Sequence, residues 1–352
     1  EMFIRDRPSA YADFVGYDEV AHHSGLFAPT ALDTLRRLDA QFARLEYAIT
    51  ESPRPYHVVI LSDHGQTQGA TFLQRYDRSL KDLVDSLIDD DVEITVPEMS
   101  SEGWGNLNGA LTEAVRDKDS RVGKLLAVTT RKRLVDGDVV LGPAFADEKA
   151  QATGTDTAAE SDVIVLASGN LGLISFTDIE GRASMEELST RFPGLVAGLA
   201  EHPGIGFVLV SSESLGGLVI GGGGIRYLSD DHVEGEDPLI GFGPNAADHL
   251  RRTHSFVNAP DILVNSFYDP HADEGAAFEE LIGFHGGMGG NQTHPFVLFP
   301  SGFAVPDEPM VGAATIHHLF KGWMATINDG SAPAPWTVPE RPANAPIPVP
   351  EV

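Results

Sequence analysis

Leu32, Leu35, Leu38, Phe42, Leu45 and Ile49 recur every three or four residues, and soon after them Val58-Val59-Ile60-Leu61 is apolar without a break. The first pattern draws one apolar stripe along a helix. Thr30 with Asp33 resembles a capping box at its start, and Pro53 and Pro55 end it. The second pattern is what an interior parallel strand shows, because both of its faces are covered. Upstream, residues 11–16 read as a short buried strand that runs into a polar loop, 17–25. Strand, loop, helix, strand, loop is a βαβ crossover. In open α/β sheets ligands bind beyond the carboxyl ends of the strands. The polar groups around Asp18 and around Asp63 both fall at such ends.

The remaining pattern extends this order. Residues 80–88 continue as a helix, 104–115 read as a turn and helix, and Gly137-Asp138 between apolar runs suggests a hairpin. Residues 146–161 are small, polar and acidic, as in a loop or the tip of an insert. Residues 162–167, 206–210 and 217–220 read as strands, with a helix across 185–192. Further interior strands are expected at 261–265 and 296–299, and a closing helix at 312–327. The glycine run Gly221 to Gly224 lacks the strand–loop–Lys–helix context of a phosphate loop and reads as a hairpin. Residues 331–352 hold seven prolines and form a tail without its own core. No internal repeat is present. The expected fold is α/β, with a central, mostly parallel sheet flanked by helices and an inserted subdomain. Residues 1–95 and 226–330 form the core, 96–225 the inserted or peripheral region, and 331–352 the tail.

A chain of 352 residues can bury a sizeable core. Its 52 acidic residues against 24 basic ones give a net charge of -28. Such a surface repels nucleic acid and anionic membrane at long range, so no nucleic-acid surface is expected. A phosphate-ester substrate would need that field reversed locally, and bound divalent cations do this. The chain has no cysteine, which excludes disulfides, thiolate ligands and a cysteine nucleophile. No apolar run reaches the length of a membrane span; residues 205–224 are interrupted by Ser211-Ser212-Glu213-Ser214. The opening Glu1-Met2-Phe3-Ile4 shows no signal-peptide pattern and reads as an internal segment of a longer protein.

Three short signals carry chemistry: Asp18-x-x-x-His22, Asp63-His64-Gly65, and His285-Gly286-Gly287 with Gln292-Thr293-His294-Pro295 after it. A two-metal phosphoester site needs carboxylate and neutral imidazole ligands on rigid elements that meet at one edge. Asp18 and His22, four apart, can share a face. Asp63 and His64 diverge at the mouth of a strand, and glycines beside His285 allow close backbone approach. Each signal has a plainer explanation. Asp-x-x-x-His is common in loops, and His285 could sit in an ordinary glycine loop. A turn accounts for the Asp and Gly of Asp-His-Gly, though not for its His. Their order and their strand-end placement raise all three together. His23, His317 and His318 read as solvated or helix-face residues; His254 and His271 lie in polar loops and fit either a functional or a plain reading.

In that order the residues resemble the alkaline phosphatase superfamily, which includes nucleotide pyrophosphatase/phosphodiesterases and phosphonoacetate hydrolase. The stretches FVGYDEVAHHSGL, LSDHGQTQGATF and AFEELIGFHGGMGGNQTHPFVLFP are similar to those of large membrane-anchored bacterial members. The resemblance covers most of residues 8–305. It implies that Asp18, His22 and His285 hold one ion and that Asp63 and His64 hold a second. Zinc suits this His/Asp mix, with manganese as the other candidate. The implied reaction is hydrolysis of a phosphate mono- or diester by a metal-activated Thr or Ser. The substrate would be a small phosphate ester or the head group of a lipid or polymer. The family's early Asp and its nucleophile are expected upstream of residue 1, on a fragment that also carries a membrane anchor, so no catalytic residue is assigned. Thr67 and Thr71 do not stand where the family places its nucleophile. The implied setting is a soluble domain tethered to a bacterial membrane, with the side left open and the extracytoplasmic one favoured. The alternative class is a non-catalytic metal-binding half or partner-binding module.

Overall fold

The structure, a computed structural model, describes residues 9–88, 92–96 and 162–333, and the backbone of 134–135 and 138–139. Helices α1 (Gly16–Ser24) and α2 (Pro29–Thr50) come first, then β1 (Ile60–Leu61), β2 (Thr67–Gln68), α3 (Phe72–Tyr76), α4 (Leu80–Asp85) and β3 (Ile94–Thr95). The hairpin β4 (Leu134–Val135) and β5 (Asp138–Val139) follows, then β6 (Val163–Ser168), β7 (Leu171–Phe176), α5 (Met185–Arg191) and α6 (Leu195–Glu201). Next are β8 (Ile205–Ser212), β9 (Gly216–Gly221), β10 (Gly224–Tyr227), β11 (Val233–Gly235), α7 (Ala246–His254) and β12 (Ile262–Ser266). The chain continues through β13 (Tyr268–Asp269), β14 (Glu274–Gly275), β15 (Gly283–Phe284), β16 (Val297–Leu298) and α8 (Ala313–Asp329). These elements fall into two compact units. One comprises Val15–Leu32 with Gly65–Thr293; the other comprises Glu1–Phe14, Asp33–His64 and His294–Val352.

The larger unit is built on an eight-stranded sheet in the order β11-β10-β9-β8-β12-β7-β6-β3. The α/β class stands, but the strands do not run mostly parallel. Only β3 and β6 pair in parallel; every other pair in this sheet is antiparallel. Gly169-Asn170 between β6 and β7 and Gly222-Gly223 between β9 and β10 are too short for a crossover and can only reverse the chain. The apolar runs misled because this antiparallel sheet is covered on both faces. Val208, Val210, Ile262 and Val264 pack with α4, α5 and α6, while Phe207, Leu209 and Leu263 pack with Leu250 of α7. Successive residues of β8 and β12 thus enter opposite cores, and the period-two alternation disappears from the sequence. Strands β6 to β9 arise within residues 96–225, yet β7 and β8 flank β12 directly.

A second, four-stranded sheet has the order β13-β14-β2-β15, with β14–β2 parallel and the other pairs antiparallel. Residues 11–16 form no strand, and the loop expected at 17–25 is helical as far as Ser24, because the chain enters α1 at Gly16. Asp18 and Glu19 in the first turn and His22 and His23 in the last suit the helix dipole, and Ala21 and His22 are buried. Thr71 with Gln74 and Ser79 with Asp82 form capping boxes that start α3 and α4.

In the smaller unit β1 pairs antiparallel with β16, and Leu61 is 40% exposed, so this is not the interior parallel strand expected. An apolar run of four cannot by itself distinguish a central strand from an edge pair. Trp323 of α8 is buried among Phe299, Phe303 and Phe320, and its indole Nε1 donates to the Ala304 carbonyl at 2.8 Å. The expected helix at 104–115, the loop at 146–161 and nearly all of the 331–352 tail lie outside the described residues. No described helix is long and apolar enough to cross a membrane.

Candidate metal centre

Asp18 and His22 lie one turn apart on α1, on the side that meets β15. Two backbone-directed hydrogen bonds fix this meeting. The Ile282 amide donates to the His22 carbonyl at 2.8 Å, and His22 Nδ1 lies 2.6 Å from the Gly283 carbonyl oxygen. A carbonyl only accepts, so Nδ1 carries the proton. In the neutral ring Nε2 then presents a lone pair, and it faces Asp18 Oδ2 at 3.2 Å. Two acceptors at that distance require a positive charge between or upon them: a second proton on the ring, or a cation. Metal-ligating histidines use this arrangement, donating the remote N–H to a carbonyl so that the other nitrogen is presented in one orientation.

His285 follows β15 directly and brings its Nε2 to 3.7 Å from Asp18 Oδ1. The His22 and His285 ring centroids are 5.1 Å apart. Both imidazoles are buried, whereas the Asp18 side chain remains 33% exposed. Burial pushes the Asp18 carboxyl up. The hydrogen bonds and charges of His22 and His285 together outweigh that effect and hold it well below the usual carboxylate range. One carboxylate and two imidazoles meet here, residue types that can ligate a divalent ion.

Gln66 completes this group and was not singled out from sequence. Its Nε2 donates to Asp18 Oδ1 and, at 3.4 Å, to the Asp18 carbonyl. It stands just before β2, whose Thr67 and Gln68 pair with Phe284 and Gly283 of β15. The available signal was its position, directly after Asp63-His64-Gly65.

The structure thus gathers Asp18, His22 and His285 within the larger unit. Asp63 and His64 belong to the smaller unit, whose boundary falls between His64 and Gly65. They lie just past β1, and the Asp63 carboxylate is 87% exposed. The His64 amide donates to Asp63 Oδ1 at 3.1 Å, and His64 Nε2 is 3.5 Å from Asp63 Oδ2. His23, His317 and His318 are exposed, as expected, and His271, whose role was open, is exposed too. His254 is half-buried, with Nε2 3.3 Å from Ser211 Oγ. Burial and the nearby Arg182 push its pKa down. A scan against protein-family models, a search of curated proteins and a search of solved structures each returned no match.

Proposed function

We propose that this chain binds a divalent metal ion, most suitably zinc, through Asp18, His22 and His285, as part of a metal-dependent phosphoester hydrolase. The observation that carries this reading is the His22 imidazole. Its Nδ1–H is committed to Gly283, and its Nε2 is aimed at an ionised carboxylate. A second ion held by Asp63 and His64, an alkaline-phosphatase-like architecture and a substrate bearing a phosphate ester are supported by the sequence resemblance. A bound ion would supply electrophilic stabilisation of phosphoryl oxygens. The chain's own residues prepare the site: Gly283 sets the His22 tautomer, Gln66 engages Asp18 Oδ1, and Asp18 supplies negative charge.

The nucleophile stays unassigned. Thr67 Oγ1 donates to the Gly289 carbonyl at 2.7 Å, and Thr71 Oγ1 lies 3.3 Å from Glu280 while it caps α3. Both hydroxyls are buried and engaged in holding the fold. This favours one second reading, a metal-binding module without turnover of its own. Elemental analysis of the purified chain, alongside hydrolysis of chromogenic phosphomono- and phosphodiesters, separates the two. Stoichiometric zinc that is lost in Asp18→Asn and His285→Ala supports the metal reading, and turnover supports the hydrolase. Zinc without turnover supports the module. Equal zinc in wild type and both variants refutes the site.

A further inference from the structure

The residues that place His285 are themselves placed by a turn far away in sequence. Ser168, Gly169 and Asn170 join β6 to β7, and they dock against the segment from His285 to Met288. The Gly287 amide donates to Asn170 Oδ1 at 3.1 Å, and Asn170 Nδ2 donates to the Met288 carbonyl at 2.9 Å. Asn265, on the neighbouring strand β12, repeats the pattern. The Met288 amide donates to its Oδ1 at 2.7 Å, and its Nδ2 donates to the same Met288 carbonyl at 3.0 Å. Every partner here is backbone, so each amide can be oriented in only one way. Both asparagines are 1% exposed. A buried, fully engaged amide is costly to disturb and therefore rigid.

Close contact explains the glycines. A Cβ on Gly287 would meet Asn265 Oδ1 at 2.5 Å and Asn170 Oδ1 at 2.6 Å. A Cβ on Gly169, whose φ is +55°, would sit 1.7 Å from the His285 carbonyl oxygen. The Gly169 amide is held by Glu279 Oε2 at 2.6 Å, and its carbonyl accepts from the Phe278 amide at 2.8 Å. His285-Gly286-Gly287 thus has a reason for its glycines that involves no bound phosphate: Gly287 abuts two asparagine side chains, and Gly286, at φ +117°, abuts Ser168.

We propose that Asn170 and Asn265 are positioning residues that fix the His285–Met288 backbone, and through it the His285 imidazole, for metal binding. This rests on the metal reading above, and it assigns to the main sheet the task of setting one ligand. Outer partners of metal ligands typically govern affinity by about 10–100-fold.

The test compares Asn170→Ala, Asn265→Ala and Gly287→Ala with Leu188→Ala, a buried core change that touches none of these groups. Zinc affinity is read by chelator competition, thermal unfolding is read on the metal-free proteins, and amide hydrogen exchange is read at Gly287 and Met288. Affinity about tenfold weaker or more in the asparagine and glycine variants, with exchange accelerated at those two amides, is the expected result. Leu188→Ala should lose stability but keep wild-type affinity. Asparagine variants that are destabilised yet bind zinc as wild type does would overturn the proposal. If wild type itself binds no zinc, the metal reading fails. Exchange then decides the clamp separately, and unchanged protection at Gly287 and Met288 in Asn170→Ala and Asn265→Ala would refute it.

Discussion

Asp18 is held ionised by two imidazoles against the pull of its own burial. A carboxyl whose pKa is lowered on folding contributes stability that is fully present above its unfolded value, about 4. That contribution is lost as pH falls through the lower folded value. For a side chain one-third exposed, about 1 kcal/mol is reasonable. Urea unfolding of metal-free wild type and Asp18→Asn should therefore show a gap that narrows from pH 5 to pH 3; a gap that widens would contradict the geometry. Gln66→Glu tests the same oxygen from the other side. It places a second carboxylate where the Gln66 amide now donates to Asp18. Like charges there raise the folded pKa of the pair, so the variant should lose stability relative to wild type between pH 5 and pH 8. Zinc should recover part of the loss, and a variant as stable as wild type at pH 8 would place Gln66 elsewhere. Asp18 and His22 were legible in sequence because a spacing of four suffices to align them on α1. Gln66, Asn170 and Asn265 were not. Their partners lie 48, 117 and 23 residues away, and an isolated Gln or Asn in a strand or turn carries no mark of which backbone it holds.

At the scale of elements, α2, α4, α5 and α8 were legible in sequence, whereas α1, which reads as a loop, and α3, α6 and α7, which carry no marked stripe, were not, and neither was sheet direction. The 3.6-residue stripe from Leu32 to Ile49 is a local property and became α2, and apolar runs correctly located β6, β8, β9 and β12. Strand direction depends on the length of the link, and two-residue links such as Gly169-Asn170 are hard to see before the strand ends are known. Residues 11–16 failed because a short apolar segment fits a strand or the approach to a helix equally well. The observed layers make two quantitative predictions. Leu195 of α6 is fully buried in the cluster beneath β8 and β12, so Leu195→Ala should cost about 2–5 kcal/mol in chemical unfolding. Ser79 accepts from the Asp82 amide at 3.1 Å while Asp82 Oδ2 accepts from the Ser79 amide at 2.9 Å. Ser79→Ala should cost about 1 kcal/mol. A larger loss at Ser79 than at Leu195 would mean that the helix start, and not the core, stabilises this layer.

Over the whole molecule the dominant electrostatic fact is the net charge of -28. The attractive contacts are short and local: Arg226 with Asp231 and Asp237, Arg251 with Asp231 and Asp248, Arg75 with Glu274. Pairs of this kind, mostly at the surface, contribute about 0–1 kcal/mol each. The unbalanced acidic groups instead repel one another over distances comparable with the Debye length, about 10 Å at 0.1 M salt and 3 Å at 1 M. Compaction brings them closer than they are in the unfolded chain, so the repulsion opposes folding. Screening should remove more repulsion than attraction, and the thermal midpoint of the metal-free chain should rise from 0.05 to 1 M NaCl. Zinc affinity should move the other way. At low salt the same negative field concentrates cations around Asp18 and its neighbours, and at high salt it no longer does. A midpoint that falls with salt would show that the local ion pairs outweigh the global excess. An affinity independent of salt would show that the ion is held by its ligands alone, without help from the charge of the whole chain.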